Sequence, residues 1–489
     1  MSDQIFLCDN QYAHLWPHHE IVLALQNLIV KNSELSNLIS SNVVIDSRKV
    51  QKNSLFIALK GENTDGHLYL NQVFERGACY AVVENIPDNL NHQFSKNLIV
   101  VKNTYEALNK LAHFARQRFA GKVIGLTGSV GKTTTKEILG KVFALQGKTH
   151  MSSGNLNNHI GLPLSLANLP SDADFAIFEM GMNHANEITP LSKLARPHIA
   201  IITNVGPVHI EFFKNEQEIA LAKSEIFLGL EQNGYAIINF DNIHYEFLYN
   251  QAKISGVNPS NIISFGTNIN ADYRLIKTNQ INVENKLEIE AFIKKQNAIK
   301  YKIGSLNKIH AINSIIALAC LDITKSKLQK CLNGLNDFGS ENGRGKINHI
   351  INNNKKITII DDTYNASILS MKAGIENCLN YQKIFNPSRI ICALGEMREL
   401  GAKSKDIHLE LLKFVIEQKF DLVILVGAEM EIANQQIKIP NSINFLDSSS
   451  AQTYFETCLN DNDLVYIKGS RGIKMEKLFE NLIYKNSAK

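Results

Sequence analysis

The sequence predicts an α/β protein of three domains, and three observations carry that reading. At 489 residues the chain is too long for one core, because single cores stop growing near ~250–300 residues. Short apolar runs rich in β-branched residues alternate with stretches of helical period through most of its length, as in a parallel sheet covered on both faces. The pattern divides into three zones, 1–107, 108–334 and 335–489: a small α/β domain, then two domains built on parallel sheets.

In the first zone "NVVIDSRKV", "SLFIALKGENTDGHLY" and "GACYAVVE" are short β-rich runs broken by Gly, Asp and Asn, with "LNQVFERGA" as a helical interruption. In the second, "KVIGLTG", "DFAIFEMG", "HIAIITNVG" and "YAIINF" read as strands closing on Gly or a polar residue. After the first of them, "TTKEILGKVFALQG" places Ile138, Val142 and Leu145 at helical spacing and stops at Gly147. Residues 271–305 alternate polar and apolar positions, which predicts an antiparallel flap, and "NSIIALACL" returns to helix. The third zone repeats the alternation with "KITIIDD", "RIICALGE", "DLVILVG", "INFLD" and "DLVYIKG", and predicts a Rossmann-like, doubly wound domain. No G-x-G-x-x-G follows a strand there, so nothing points to a nicotinamide cofactor.

Composition narrows the class. Hydrophobic residues make up 44% and charged ones 20%, ordinary values for a soluble globular chain. The formal net charge of +4 is close to neutral at this length, and no basic block tracks a nucleic-acid backbone. The seven cysteines are scattered without a C-x-x-C pair, which suggests neither a disulfide framework nor a zinc site. The start "MSDQIFLCDNQYAHLW" has no basic segment followed by an apolar one. No apolar run approaches the ~18 residues of a membrane helix. The expectation is a reduced, cytoplasmic protein with no membrane insertion and no nucleic-acid partner.

The stretch "GLTGSVGKTTTKE", Gly125 to Glu137, follows a strand and opens a helix, the context of a phosphate loop (P-loop). Glycines let backbone N–H groups turn inward around phosphate oxygens, and the helix N-terminus adds positive potential. The run Thr127, Gly128, Ser129, Val130, Gly131, Lys132, Thr133 and Thr134 is the expected ATP cradle. Lys132 would reach the β- and γ-phosphates and the Thr133 hydroxyl would hold Mg²⁺. Leu126 stands where the strict pattern has Gly, so Gly128 and Gly131 carry the turn. Such a site needs a carboxylate at a neighbouring strand end, and "DFAIFEMG" offers Glu179. In the third zone "IIDDTYNAS" places Asp361, Asp362, Tyr364 and Asn365 past a strand's carboxyl end, where open α/β sheets bind ligands. "LGEMRELG" and "IKGSRG" end two further strands in the same way.

Taken together, "TGSVGKTTTKE", "GNLNNHIGLPLSL", "EMGMNHANEI", "AKSEI", "DDTYNA", "LGEMRELG" and "KGSRG" resemble the Mur ligases, the ATP-dependent amide-forming enzymes of peptidoglycan precursor synthesis. The resemblance implies three domains: 1–107 gripping a uridine nucleotide, 108–334 a central P-loop ATPase, and 335–489 a doubly wound domain closing over the ATP. It implies that Ser47, Arg48, Asp65, Gly66 and His67 line the uridine pocket, and that Asn155, Asn157 and Asn158 face a muramyl peptide. Lys223 resembles the family's carbamylated lysine, which with Glu179 and His209 positions a second Mg²⁺. Without the resemblance, His209 and Lys223 would pass as a structural histidine and a solvated helix charge. Asn313 and Arg344 resemble the adenine and phosphate contacts, with Asp362, Tyr364 and Asn365 closing in from the third domain. Departures are local: the family's H-N-x-x-N is here His310-Ala311-Ile312-Asn313, Ser367-Ile368 replaces Asn-Pro, and Glu396 replaces Asp.

Within the family the motifs most resemble the member that activates the terminal carboxylate of a UDP-muramoyl tripeptide as an acyl phosphate and joins it to D-alanyl-D-alanine. The implied cofactors are ATP and two Mg²⁺ ions, and a monomer is expected. The sibling that adds diaminopimelate or lysine to the dipeptide is the alternative; its "DNPR"-type signature is absent. A folylpolyglutamate synthase would lack the front domain, and a P-loop switch protein would need an N-K-x-D motif.

Overall fold

The computed structural model describes residues 15–487, apart from 35–36, 63, 282–284, 295–297 and 340. Three large sheets follow one another along the chain. The first has five strands: β1 (Ile29–Lys31), β2 (Asn42–Val44), β3 (Ser54–Ile57), β4 (Tyr80–Val83) and β5 (Leu98–Val101). Their order is β1-β5-β4-β3-β2, parallel except for β1 on β5. Strands β3 and β4 are buried throughout, which is why they read as unbroken apolar runs.

Helix α1 (Thr104–Arg118) leads out of this sheet, capped by the Asn103 side chain on the Glu106 N–H. The expected division at 107 falls inside this helix. Its Ala107, Leu108, Leu111 and Ala115 sit in the first domain's core together with Leu164 and Ala167 of the next, so two sheets share one helix.

The second sheet holds nine strands: β6 (Lys122–Thr127), β7 (Thr149–Met151), β8 (Phe175–Glu179), β9 (Ile199–Ile202), β10 (Tyr235–Asn239), β11 (Ile262–Gly266), β12 (Tyr273–Ile281), β13 (Lys286–Ile293) and β14 (Ile299–Ile303). Their order is β14-β13-β12-β11-β10-β9-β6-β8-β7. The pairs from β7 to β12 are parallel, and β12-β13-β14 form the antiparallel flap expected over 271–305. β6 therefore lies between β8 and β9 with its carboxyl end open to both. Helices α2 (Lys132–Ala144), α3 (Gly161–Ala167), α4 (Glu216–Ser224) and α5 (Lys308–Ile323) belong to this region. α5 is buried along most of its length, as the run "NSIIALACL" requires.

The third sheet has the order β15-β16-β20-β17-β18-β19, from β15 (Lys346–Asn352), β16 (Lys355–Asp362), β17 (Arg389–Gly395), β18 (Leu422–Val426), β19 (Ser442–Phe445) and β20 (Asp463–Lys468). It is parallel except for the edge strand β15 on β16, and helix α6 (Ile368–Phe385) follows β16. The α/β architecture of three sheets is thus as expected. No helix among the described residues is long and apolar enough to cross a membrane. Six cysteines are free thiols, and Cys8 lies outside the described residues.

Candidate active site

A cleft of about 1170 Å³ opens between the second and third sheets. Its floor is the turn from β6 into α2. Gly128 (φ +152°) and Gly131 (φ +86°) hold backbone conformations that L side chains rarely adopt. A Cβ on Gly128 would lie 2.0 Å from Thr203 Oγ1, and one on Gly131 would press on the Asn313 amide. The turn is braced from β9: Ser129 N–H donates to Asn204 O (2.8 Å), Ser129 Oγ to Gly206 O (2.9 Å) and Thr203 Oγ1 to Val130 O (2.6 Å). Lys132 curls back to donate to Gly128 O at 2.6 Å. Burial lowers the Lys132 pKa; Glu179 opposes that and Arg344 adds to it. Two buried groups in this cradle, Thr127 Oγ1 and Asn313 Nδ2, have no hydrogen-bond partner among the described residues. An unpaired buried donor beside an open phosphate loop suits a polar ligand.

Glu179, at the end of β8 and 2% exposed, joins two elements. Thr133 Oγ1 donates to its Oε2 at 2.9 Å, and Asn157 Nδ2 to its Oε1 at 2.8 Å. One carboxylate and one hydroxyl suit Mg²⁺, which takes few protein ligands and completes its shell with phosphate and water. Among the described residues no group of three or more His, Cys, Asp and Glu side chains is arranged to hold a metal. Lys223, on α4, is 3% exposed and lines the same cleft. Its pKa is pushed well below the ordinary lysine value by burial, with Lys132 adding repulsion. His209 also lines the cleft, in a left-handed backbone conformation (φ 59°), and its Nδ1 faces Glu399 of the third domain. That contact holds the Glu399 carboxyl below its ordinary range.

The third sheet supplies the opposite wall. Arg344 stacks on the Tyr364 ring, 3.9 Å from its centroid. Asp361 lies below this turn, accepting from Gly343 N–H (2.7 Å) and Thr363 Oγ1 (2.7 Å). Asp362 is held by Lys468 Nζ at 2.8 Å and by the Tyr466 hydroxyl at 2.9 Å. Burial raises the Asp362 pKa against the pull of Lys468. Asn365 lines the cleft while its Oδ1 accepts from the Ala366 N–H. Of the asparagine run, Asn155, Asn157 and Asn158 all line the cleft, but Asn158 Oδ1 is engaged by Gly161 N–H at the start of α3 (2.8 Å).

The first-domain residues are not part of this cleft. Arg48 is 82% exposed and forks onto Asp46 (2.9 and 2.8 Å). The Ser47 carbonyl accepts from Arg76. His67 is buried and engaged at both ring nitrogens, with Asp65 at 2.6 Å and the Glu84 N–H at 2.9 Å, so it ties one loop to another. Gly66 allows a close backbone approach, since a Cβ there would meet Ala58 Cα at 2.8 Å.

Sequence reasoning missed the brace Thr203–Gly206, although "ITNVG" at a strand end was a signal. Lys468 in "IKGSRG" and Lys136 in "TTKE" carry no sequence signal that sets them apart from ordinary lysines.

Three family models match in order: Mur ligase family, catalytic domain (40–116), Mur ligase middle domain (126–321) and Mur ligase, glutamate ligase domain (348–471). A relative from Rickettsia prowazekii, a UDP-N-acetylmuramoyl-tripeptide–D-alanyl-D-alanine ligase, is 35% identical over 91% of this chain and 96% of its own. The chain belongs to the Mur ligase family. A Bacillus subtilis ligase of the same name is 32% identical, covering 92% of this chain and 95% of its own. Among solved Mur ligases, MurF from Acinetobacter baumannii superposes with a TM-score of 0.80 at 28% identity, covering 96% of this chain and 99% of that one. The MurF ligase of Thermotoga maritima in complex with ADP gives 0.75 at 27%, covering 91% and 98%. As a Mur ligase, the chain presents its phosphate loop, Glu179 and Lys223 to one cleft faced by a second α/β domain.

Proposed function

We propose that this ligase joins D-alanyl-D-alanine to a UDP-N-acetylmuramoyl-tripeptide at the expense of ATP, through an acyl phosphate. The observation that carries this reading is the bridge at Glu179. One carboxylate is shared by Thr133 of the phosphate loop and Asn157 of the asparagine run, which would bring nucleotide and acceptor to one point. The names of the two bacterial relatives point to the same reaction.

In this reading residues 1–107 grip the uridine nucleotide, 108–334 bind ATP and 335–489 close over it. Thr127 to Thr134 cradle the phosphates, Asn313 and Arg344 serve as the adenine and phosphate contacts, and Asp362, Tyr364 and Asn365 close in from the third domain. Ser47, Arg48, Asp65, Gly66 and His67 serve the uridine end. Repulsion between the triphosphate and the incoming carboxylate is the main obstacle, and the ammonium of Lys132 is placed to offset it. Bound Mg²⁺ would supply further charge neutralisation, held by Thr133 and Glu179 with His209 and Lys223 nearby. Lys223 suits the second ion only after modification: its neutral amine adds to CO₂, a C–N bond forms, one proton leaves, and the product is an anion with two oxygens. Burial favours the neutral amine. The product would be the UDP-muramoyl pentapeptide used in cell-wall biogenesis, and thus in cell shape and division, by a cytoplasmic monomer.

ADP release with defined substrates tests the reading. It should require UDP-muramoyl tripeptide and D-alanyl-D-alanine together. Strong turnover with UDP-muramoyl dipeptide and free diaminopimelate or lysine would transfer the assignment to the sibling ligase.

A further inference from the structure

We propose that Lys136 is a positioning residue that couples the phosphate-loop helix to the acceptor loop 152–158. It lies one turn beyond Lys132 on α2 and is fully buried, 0% exposed. Its Nζ donates to two backbone carbonyls of another segment, Ser152 O at 2.8 Å and Gly154 O at 2.9 Å, with Glu137 Oε1 3.5 Å away. Burying an ammonium is costly, and a methylene chain of equal length would fill the same space without that cost. What the ammonium adds is direction. Two carbonyls two residues apart converge on one cation, which sets the turn between them; Gly154 makes that turn with φ +51°.

The far end of the same loop is pinned separately. Asn157 donates to Glu179 and its carbonyl accepts from Gly181 N–H at 2.8 Å. Between the two anchors lies Asn155, and it lines the cleft together with the anchoring Asn157. Lys132 and Lys136 share one face of one helix, four residues apart, as neighbours on a helix surface do. The position of α2 that receives the phosphates therefore also sets the position of the loop that receives the acceptor. This inference rests on the reading of the asparagine run as the acceptor contact.

The test uses the full chain with Lys136→Met, which keeps the stem and removes the charge, and Lys136→Gln, which keeps one donor. In ADP-saturated protein, hydrogen exchange across 152–158 should speed up at least tenfold in the methionine variant, while the ADP Kd stays within threefold of wild type. The KM for UDP-muramoyl tripeptide should rise at least tenfold and the KM for ATP less than threefold, with the glutamine variant between. Unchanged exchange across 152–158, or a fall in kcat that tracks a lower melting temperature with an unchanged acceptor KM, would overturn the proposal. Loss of ADP binding in both variants would overturn it as well, by making Lys136 a folding residue. Wild-type protein inactive on the tripeptide, but with the expected exchange change in Lys136→Met, would instead count against the acceptor reading while leaving the coupling intact.

Discussion

Replacing Lys223 by methionine separates a catalytic role from a structural one. The side chain is 3% exposed and sits within the field of Lys132. Truncation to alanine would remove three buried methylenes, a loss of roughly 2–3 kcal/mol at about 0.8 kcal/mol each. Methionine keeps most of that volume and removes the charge. The Lys223→Met protein should therefore melt at or above wild type, while kcat falls by roughly 10²-fold or more, as when a group that stabilises transition-state charge is lost. The pH dependence has a definite sign. An ordinary lysine, with a pKa near ~10.4, is neutral in only about one molecule in 2,500 at pH 7. The folded-state value is depressed, so below the ordinary lysine range the unfolded chain binds a proton that the folded chain does not. Stability of unmodified wild type then declines as pH falls toward the folded-state pKa, and the methionine variant lacks that slope. Thermal melts from pH 6 to 9 in CO₂-free buffer, with ADP-release assays beside them, read both effects. For the alanine variant, formate or acetate should restore part of the activity by returning a carboxylate to the gap. Near wild-type turnover in Lys223→Met, or a Mg-nucleotide complex showing an unmodified ammonium, would refute the reasoning.

Three further outcomes follow from the same site. Lys132→Ala should abolish turnover while UDP-substrate binding by calorimetry stays within about twofold, since the uridine grip is assigned to the first sheet; a parallel loss of binding would contradict that assignment. Gly128→Ala should weaken ADP binding at least tenfold (about 1.4 kcal/mol), because its Cβ would lie 2.0 Å from Thr203 Oγ1 and 3.1 Å from the Asn204 backbone; equal affinity would mean the brace yields freely. Asp362→Ala should lower thermal stability as well as turnover: it takes the carboxylate from Lys468, 4% exposed, leaving its Nζ only the Asp362 carbonyl at 3.3 Å, and breaking a buried pair costs about 3–5 kcal/mol. Adding Lys468→Met should recover much of that stability, and a double variant no more stable than the single one would contradict the pairing.

Much of this arrangement was legible in the residues, and the parts that were not share a physical cause. The phosphate loop shows itself because its demands are local: glycines at positive φ, then Lys and Thr at the first turn of a helix. Strand cores such as "DFAIFE" show themselves because burial on both faces leaves a continuous apolar run. The edge strand β15 did not, since Asn348, His349 and Asn352 give it no apolar period, and only pairing with β16 defines it. The burial of Lys136 was equally hidden, because the acceptors that make it tolerable belong to a separate strand end. His209 was singled out by resemblance, yet its partner Glu399 lies on another domain.

Register completes what composition leaves open. Glu179 pairs with Leu126 across β8 and β6, so its carboxylate emerges beside the residue that begins the phosphate loop. From there it reaches the first turn of α2 on one side and the loop after β7 on the other. Shifting β8 by one residue would turn the carboxylate to the opposite face of the sheet. The bridge at Glu179 is therefore a property of the pairing of two buried strands. Substitutions that loosen β6 against β8 should weaken nucleotide and acceptor binding together, even when they touch neither ligand.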